Sequence, residues 1–317
     1  MQTFPPPITS RTNARVKALR ASLSGEARKP GDLLGLEGPN LIREAHLAGL
    51  SFETVFLREG SELALESQWR DTLRTKSWVV LSRDVFDSAV STFTPQGIAA
   101  TWAIREPEPG PYAGLVLENI QDPGNVGTLI RSAAAFGMGD VLVTPETVNP
   151  WNPKAVRAAA GSIFRTRVQR LSLAQIVEQL RAKKVKTFAA VSGFRSGPEY
   201  GYPVLAAQHG VLTGRVHNRE APEEYRYPEH PIEHGAQRNQ YAASLSYDTD
   251  FQEPCAIMIG NEGAGLSQEA RRLADEQVMI PCSAESLNAA VAGSVLMYEV
   301  MRQRTLRIWA RNQGLRP

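Results

Sequence analysis

Two apolar runs, "GLVLE" (114–118) and "AIMIG" (256–260), carry no alternation of polar and apolar residues, and each empties into a glycine-bearing polar stretch. A strand with one wet face reads alternately. A strand apolar on both faces has to be covered on both, which is the condition of a parallel sheet layered between helices. Ligands of such sheets sit where the strands end and the loops begin. The two runs therefore fix an α/β class and point at the stretches that follow them.

The remaining pattern agrees. After residue 112, strands are expected at "DVLVTP", "VKTFAAVS" and "QVMIP". Helices are expected from Val126 to Phe136, at "NPKAVRAAAG", "LAQIVEQLRAKK" and "SQEARRLAD", and in a long terminal helix from about Glu285 to about Arg311. Before residue 105, "DLLGLEG", "TVFLRE" and "SWVVLS" read as strands. "NARVKALRASL", "NLIREAHLAGL" and "DVFDSAVS" read as helices, the second ended by Gly49. The stretch "REPEPGPYAG" between the halves has linker composition. The expected division is a smaller α/β unit over 1–108 and a larger one over 109–317.

Residues 196–251 break the alternation. They are polar, rich in proline and without period, which reads as an inserted loop. Four of the five histidines lie there, His209, His217, His230 and His234. No spacing among them resembles a zinc pattern, so no metal is expected. The two cysteines, Cys255 and Cys282, make no disulfide framework, which favours a reducing compartment. The start lacks a signal peptide and no run is long and apolar enough to cross a membrane, so a cytoplasmic protein is expected. The net charge is only +2, so a basic footprint has to be local. One exists: Arg11, Arg15, Lys17, Arg20, Arg28 and Lys29 stand against Glu26 alone in the first 30 residues, an excess of five (6 − 1). A solvated helix face and an RNA-phosphate patch are both open readings of it.

Three stretches carry candidate chemistry. The first is "DPGNVGTLIRSAAAFG" (122–137), a strand-to-helix turn. There Gly124 and Gly127 allow close approach and positive φ, Asn125 is placed to cap the helix, and Arg131 projects beside the loop. The second is "IMIGNEGAGLS" (257–267), with Glu262 at the end of a strand and Ser267 opening a helix. Its glycines fit neither a dinucleotide fingerprint nor a phosphate loop. The third is "MIPCSAESLNAAVAGSVLMYE" (279–299), with Ser286 as a helix cap or first-turn residue and Asn288 just inside the helix. Each has a plain reading as a turn or a capped core helix.

Together, and in this order, the three stretches resemble the sequence motifs of the SpoU (TrmH-type) RNA ribose 2′-O-methyltransferases of the SPOUT superfamily. "NPKAVRAAAGSIFR" also resembles a family segment, and "ITSRTNARVKALR" and "LEGPNLIREAHLAGL" resemble the family's L30e-like RNA-binding domain. The resemblance implies a C-terminal SPOUT domain with a mostly parallel sheet, helices on both faces and a trefoil knot. It implies S-adenosylmethionine held at Gly260, Ile280 and Leu287. Asn125, Arg131, Glu262, Ser286 and Asn288 carry over as the catalytic and RNA-contacting set. A homodimer through the catalytic domain is implied as well, with Ala289, Ala290, Ala292 and Gly293 as its close-packing face. Ribosomal RNA, of the 23S kind, is the expected substrate, with transfer RNA and a non-catalytic RNA-binding relative as alternatives. Two features depart from the family: the 196–251 insertion, and a loop from Pro281 to Ser286 about two residues short and without its usual glycine.

Overall fold

The computed structural model describes residues 4–27, 29–61, 72–105, 113–192, 243–282 and 286–313. Its first sheet is built from β1 (Leu33–Glu37), β2 (Thr54–Arg58), β3 (Trp78–Leu81) and β4 (Ile98–Ala103), in the order β1-β4-β2-β3. β4 runs antiparallel to both neighbours, whereas β2 and β3 are parallel. Helices α1 (Ala14–Leu23) and α3 (Arg83–Ala89) cover one face, burying Val16, Leu19, Val85 and Phe86. Helix α2 (Pro39–Leu47) covers the other through Ile42 and Ala45. β4 escaped the sequence reading because "IAATWA" is alanine-rich, and alanine is poor in strands. Its small side chains fit the centre of a sheet flanked by helices.

The second sheet has seven strands, and every neighbouring pair is parallel. They are β5 (Ala113–Leu117), β6 (Asp140–Val143), β7 (Arg167–Arg170), β8 (Lys186–Ala190), β9 (Ser244–Leu245), β10 (Cys255–Ile259) and β11 (Glu276–Met279). Their order is β7-β6-β5-β10-β8-β11-β9. β5 and β10, the two runs without alternation, lie side by side inside the sheet and are buried along their whole length. On one face pack α4 (Pro123–Ala135), α5 (Pro153–Ala158) and α8 (Ala289–Asn312). On the other pack α6 (Leu173–Ala182) and α7 (Gln268–Leu273). β7, "RVQR", is a polar edge strand, which periodicity does not mark.

Four expectations are corrected. Asn125 does not cap α4. Asp122 does, its Oδ1 accepting the Asn125 N–H at 2.7 Å, with Pro123 at the first helical position. Neither Gly124 nor Gly127 has positive φ. A Cβ on Gly127 would stand 2.3 Å from the Ala155 carbonyl oxygen, so this glycine lets α4 and α5 touch. The last helix begins at Ala289, not Glu285, with Asn288 as its cap. Finally, the insertion ends earlier than 251. Ser244–Leu245 pairs with β11, and Phe251 is fully buried, edge-on to Phe188 at 4.9 Å. Residues 193–242, with the four histidines, lie outside the described residues, as do Arg28 and 283–285. The expected knot is not among the features that the described residues show.

Candidate active site

β5 and β10 end in register, Leu117 opposite Ile259, so loops 142 residues apart in sequence leave the sheet side by side. The loop after β10 folds back on itself. Asn261 and Gly265 exchange two backbone hydrogen bonds of 3.1 and 2.9 Å, with Gly265 at φ 69°. A Cβ on Gly260 would lie 2.2 Å from the Leu266 nitrogen, so only glycine allows this closure. Glu118 joins the two loops by accepting from the Ser267 N–H and hydroxyl at 2.8 and 2.6 Å. Asn261 adds a bond from its Nδ2 to the Asn119 carbonyl at 2.9 Å.

Glu262 stands at the tip of this loop and reaches across to the start of α4. Its carboxylate accepts from the N–H groups of Gln121 and Asp122 at 3.3 and 3.2 Å and from Asn125 Nδ2 at 2.9 Å. Burial pushes this carboxyl up. The bonds from the Asn125 amide and from backbone N–H groups outweigh it, and the net shift is below the usual glutamate value. Asn125 then passes the chain on, its Oδ1 accepting from Asn288 Nδ2 at 3.2 Å. Asn288 in turn caps α8, accepting from the Ala290 and Val291 N–H groups at 2.9 and 3.2 Å. One carboxylate and two amides thus tie the three motif stretches together, and the bonds fix which way each amide points.

Beside this chain of bonds lies a crevice. Its walls include Ala190, Ile259, Gly260, Ile280, Leu287 and Ala292, and Glu262 and Ser286 stand on its rim. All three residues expected to hold a cofactor are on it. Arg131 is not. It sits exposed on α4, one and a half turns beyond Asn125, and its guanidinium makes no hydrogen bond or ion pair among the described residues.

Residues 113–211 and 231–298 match the model of the SpoU rRNA methylase family, and residues 13–100 match that of the MRM3-like substrate binding domain. The chain belongs to the SpoU rRNA methylase family. A tRNA/rRNA methyltransferase of Synechocystis, itself uncharacterized, is 30% identical over 94% of both chains. The human mitochondrial rRNA methyltransferase 3 is 31% identical over 87% of this chain and 68% of its own. The Bacillus subtilis 23S rRNA (guanosine(2553)-2′-O)-methyltransferase RlmP is 26% identical over 92% and 98%. Among solved structures, an AdoMet-bound rRNA methyltransferase from Sinorhizobium meliloti superposes with a TM-score of 0.66 at 22% identity, over 94% of this chain and 97% of that one.

Within this SpoU chain the site residues expected from sequence fall into three groups. Asn125, Glu262 and Asn288 are hydrogen-bonded to one another in series. Gly260, Ile280, Leu287 and Ser286 surround the crevice, and Ser286 is not the helix cap. Arg131 stands apart. Sequence reading missed Asp122, Asn261, Glu118 and Ser267 as the members that hold the loops. Asp followed by proline was a legible cap signal. The Glu118–Ser267 link, across 149 residues, had none.

Proposed function

We propose that this SpoU-family chain is an S-adenosylmethionine-dependent RNA methyltransferase that methylates a ribose 2′-hydroxyl of large-subunit ribosomal RNA. The observation that carries the proposal is the Glu262–Asn125–Asn288 chain of bonds set against the crevice of Gly260, Ile280 and Leu287. The crevice chemistry suits the cofactor. Small and branched aliphatic walls accept an adenine face, and loop backbone supplies polar groups for its edge. Relatives whose names specify 23S rRNA and 2′-O support the substrate.

When bound, S-adenosylmethionine supplies an electrophilic methyl group on sulfur. The protein's part is orientation. Asn125 and Asn288 form a polar wall with fixed amide directions, and Ser286 extends it. Glu262 is ionised and filled by three donors, so it positions Asn125 rather than taking a proton. The Arg131 guanidinium, which has no partner among the described residues, suits the phosphate beside the reacting ribose, which aligns the 2′-hydroxyl for attack. The proton released from that hydroxyl passes to the phosphate or to water.

The homodimer belongs to the same proposal, on a different face from the one expected. Ala289, Ala290 and Gly293 are buried within the chain, where a Cβ on Gly293 would meet Leu129 at 2.4 Å. The exposed stripe of α8 is Val291, Val295 and Tyr298, at helical spacing. An apolar face left open on one helix suits a second copy. The division at residues 108 and 109, the C-terminal knot and cytoplasmic residence complete the reading.

The test is methyl transfer from labelled cofactor to unmodified ribosomal and transfer RNA, with calorimetry of cofactor binding. Arg131→Ala is expected to lower turnover at least about 100-fold, on the scale of one lost transition-state contact, while cofactor binding survives. Wild-type turnover in Arg131→Ala overturns the role of Arg131. Failure of the native protein to bind millimolar cofactor overturns the activity, and transfer to tRNA alone corrects the substrate.

A further inference from the structure

Among the described residues, Phe93 is the most exposed large apolar side chain of the substrate-binding half. Phe93 lies in the loop between α3 and β4 with its surface fully exposed, at 104% of the reference value. A lone exposed apolar residue is ordinary. This one is held out on a pinned support. The Glu37 carboxylate at the end of β1 accepts from the Ser91 N–H and hydroxyl at 3.0 and 3.1 Å, from the Thr92 N–H at 3.3 Å and from the Thr92 hydroxyl. At the far end of the loop, Gly97 takes φ 78° and its carbonyl accepts the Arg58 N–H at 2.9 Å. Both ends are fixed and the ring stands between them.

The surroundings favour an anionic partner. Glu37 is filled by its four donors, and Asp87 is paired with Arg58 at 2.7 Å. Arg20 reaches the carbonyl of Ser88, the penultimate residue of α3, at 3.4 Å and is itself exposed. Arg15 and Lys17 are exposed on the same helix, α1, which packs beside α3 on one face of the sheet. Arg20 of the N-terminal basic cluster therefore borders the helix end that leads into the loop presenting the ring.

We propose that Phe93 is a stacking platform for an unpaired base of the RNA substrate, with Arg20 holding an adjoining phosphate. The inference rests on the RNA substrate of the proposed function and adds a contact remote from the methyl-transfer site. An aromatic ring on a fixed loop suits this task, because any base offers a π face and the ring loses little freedom on binding.

The test compares Phe93→Ala, Phe93→Leu and Phe93→Trp with the native protein, using an unmodified large-subunit rRNA transcript as probe. Direct binding is measured, together with KM and kcat for methyl transfer. Stacking predicts that Ala and Leu each weaken RNA binding by about five- to a hundredfold and raise KM with kcat nearly unchanged. Trp is expected to bind as the native protein does and to show fluorescence quenching on adding RNA. Native binding in Phe93→Ala overturns the proposal, and so does equal weakening in all three variants. If RNA binds but no methyl is transferred, the activity falls while the binding series still decides the stacking. If the native protein binds no RNA, both fall.

Discussion

Glu262 shows how one side chain fixes a site it does not operate. Its depressed pKa means that the folded state favours the ionised form, so its contribution is present above the ordinary carboxylate range. It is lost as the pH falls through the lower folded value. Glu262→Gln replaces an acceptor-only group with one that presents an amide to the Gln121, Asp122 and Asn125 donors. Because the group is exposed, the stability cost is expected to be below about 1 kcal/mol. Turnover is expected to fall about tenfold or more, since Asn125 loses its anchor. The melting gap between native protein and variant is expected to be present at pH 6–8 and to close as the pH falls below about 4.3. A gap that instead widens in acid contradicts the assigned sign.

At the scale of elements, the two faces of the α4–α8 layer make opposite demands. Gly127 sits where a Cβ would meet the Ala155 carbonyl at 2.3 Å and the Ala158 Cβ at 2.5 Å. Backbone cannot yield as a side-chain end can, so Gly127→Ala is expected to cost about 3 kcal/mol by overpacking, read in a denaturant titration. Val295 points the other way, into solvent. Val295→Lys is expected to leave stability within about 0.5 kcal/mol while halving the mass seen by light scattering. An unchanged mass overturns the proposed dimer through α8. The sequence marked α8 for its small residues and drew the wrong partner from them. Small residues signal a close approach, and only the packed chain says to which surface.

For the molecule as a whole, the two sheets are joined by a common apolar cluster rather than by the linker alone. Trp102 of β4 packs against Trp151 and Phe164 with ring centres 6.0 and 5.9 Å apart. Asn149 Nδ2 donates to the Ala27 and Gly25 carbonyls at 2.7 and 3.2 Å, and Arg165 pairs with Glu44 at 3.0 Å. Trp151→Ala is expected to cost about 3–5 kcal/mol and to split one calorimetric transition into two. A single transition in the variant contradicts this coupling. The seam fixes how the loop of Phe93 stands relative to the crevice, and so how far along an RNA the two contacts fall.

The sequence by itself determined the parallel sheet and the places where its loops open, because unbroken apolar strands have only one stable environment and glycines must follow where the chain turns sharply. It also contained the residues of the crevice, through motifs that occur in a fixed order. Tertiary structure decided the rest. Which asparagine caps and which one links, where Glu262 spends its lone pairs, that Gly127 serves packing, and that Phe93 is left over are all facts about partners distant in the chain. Local pattern reports the environment a residue needs; only the folded path supplies the neighbour that meets it.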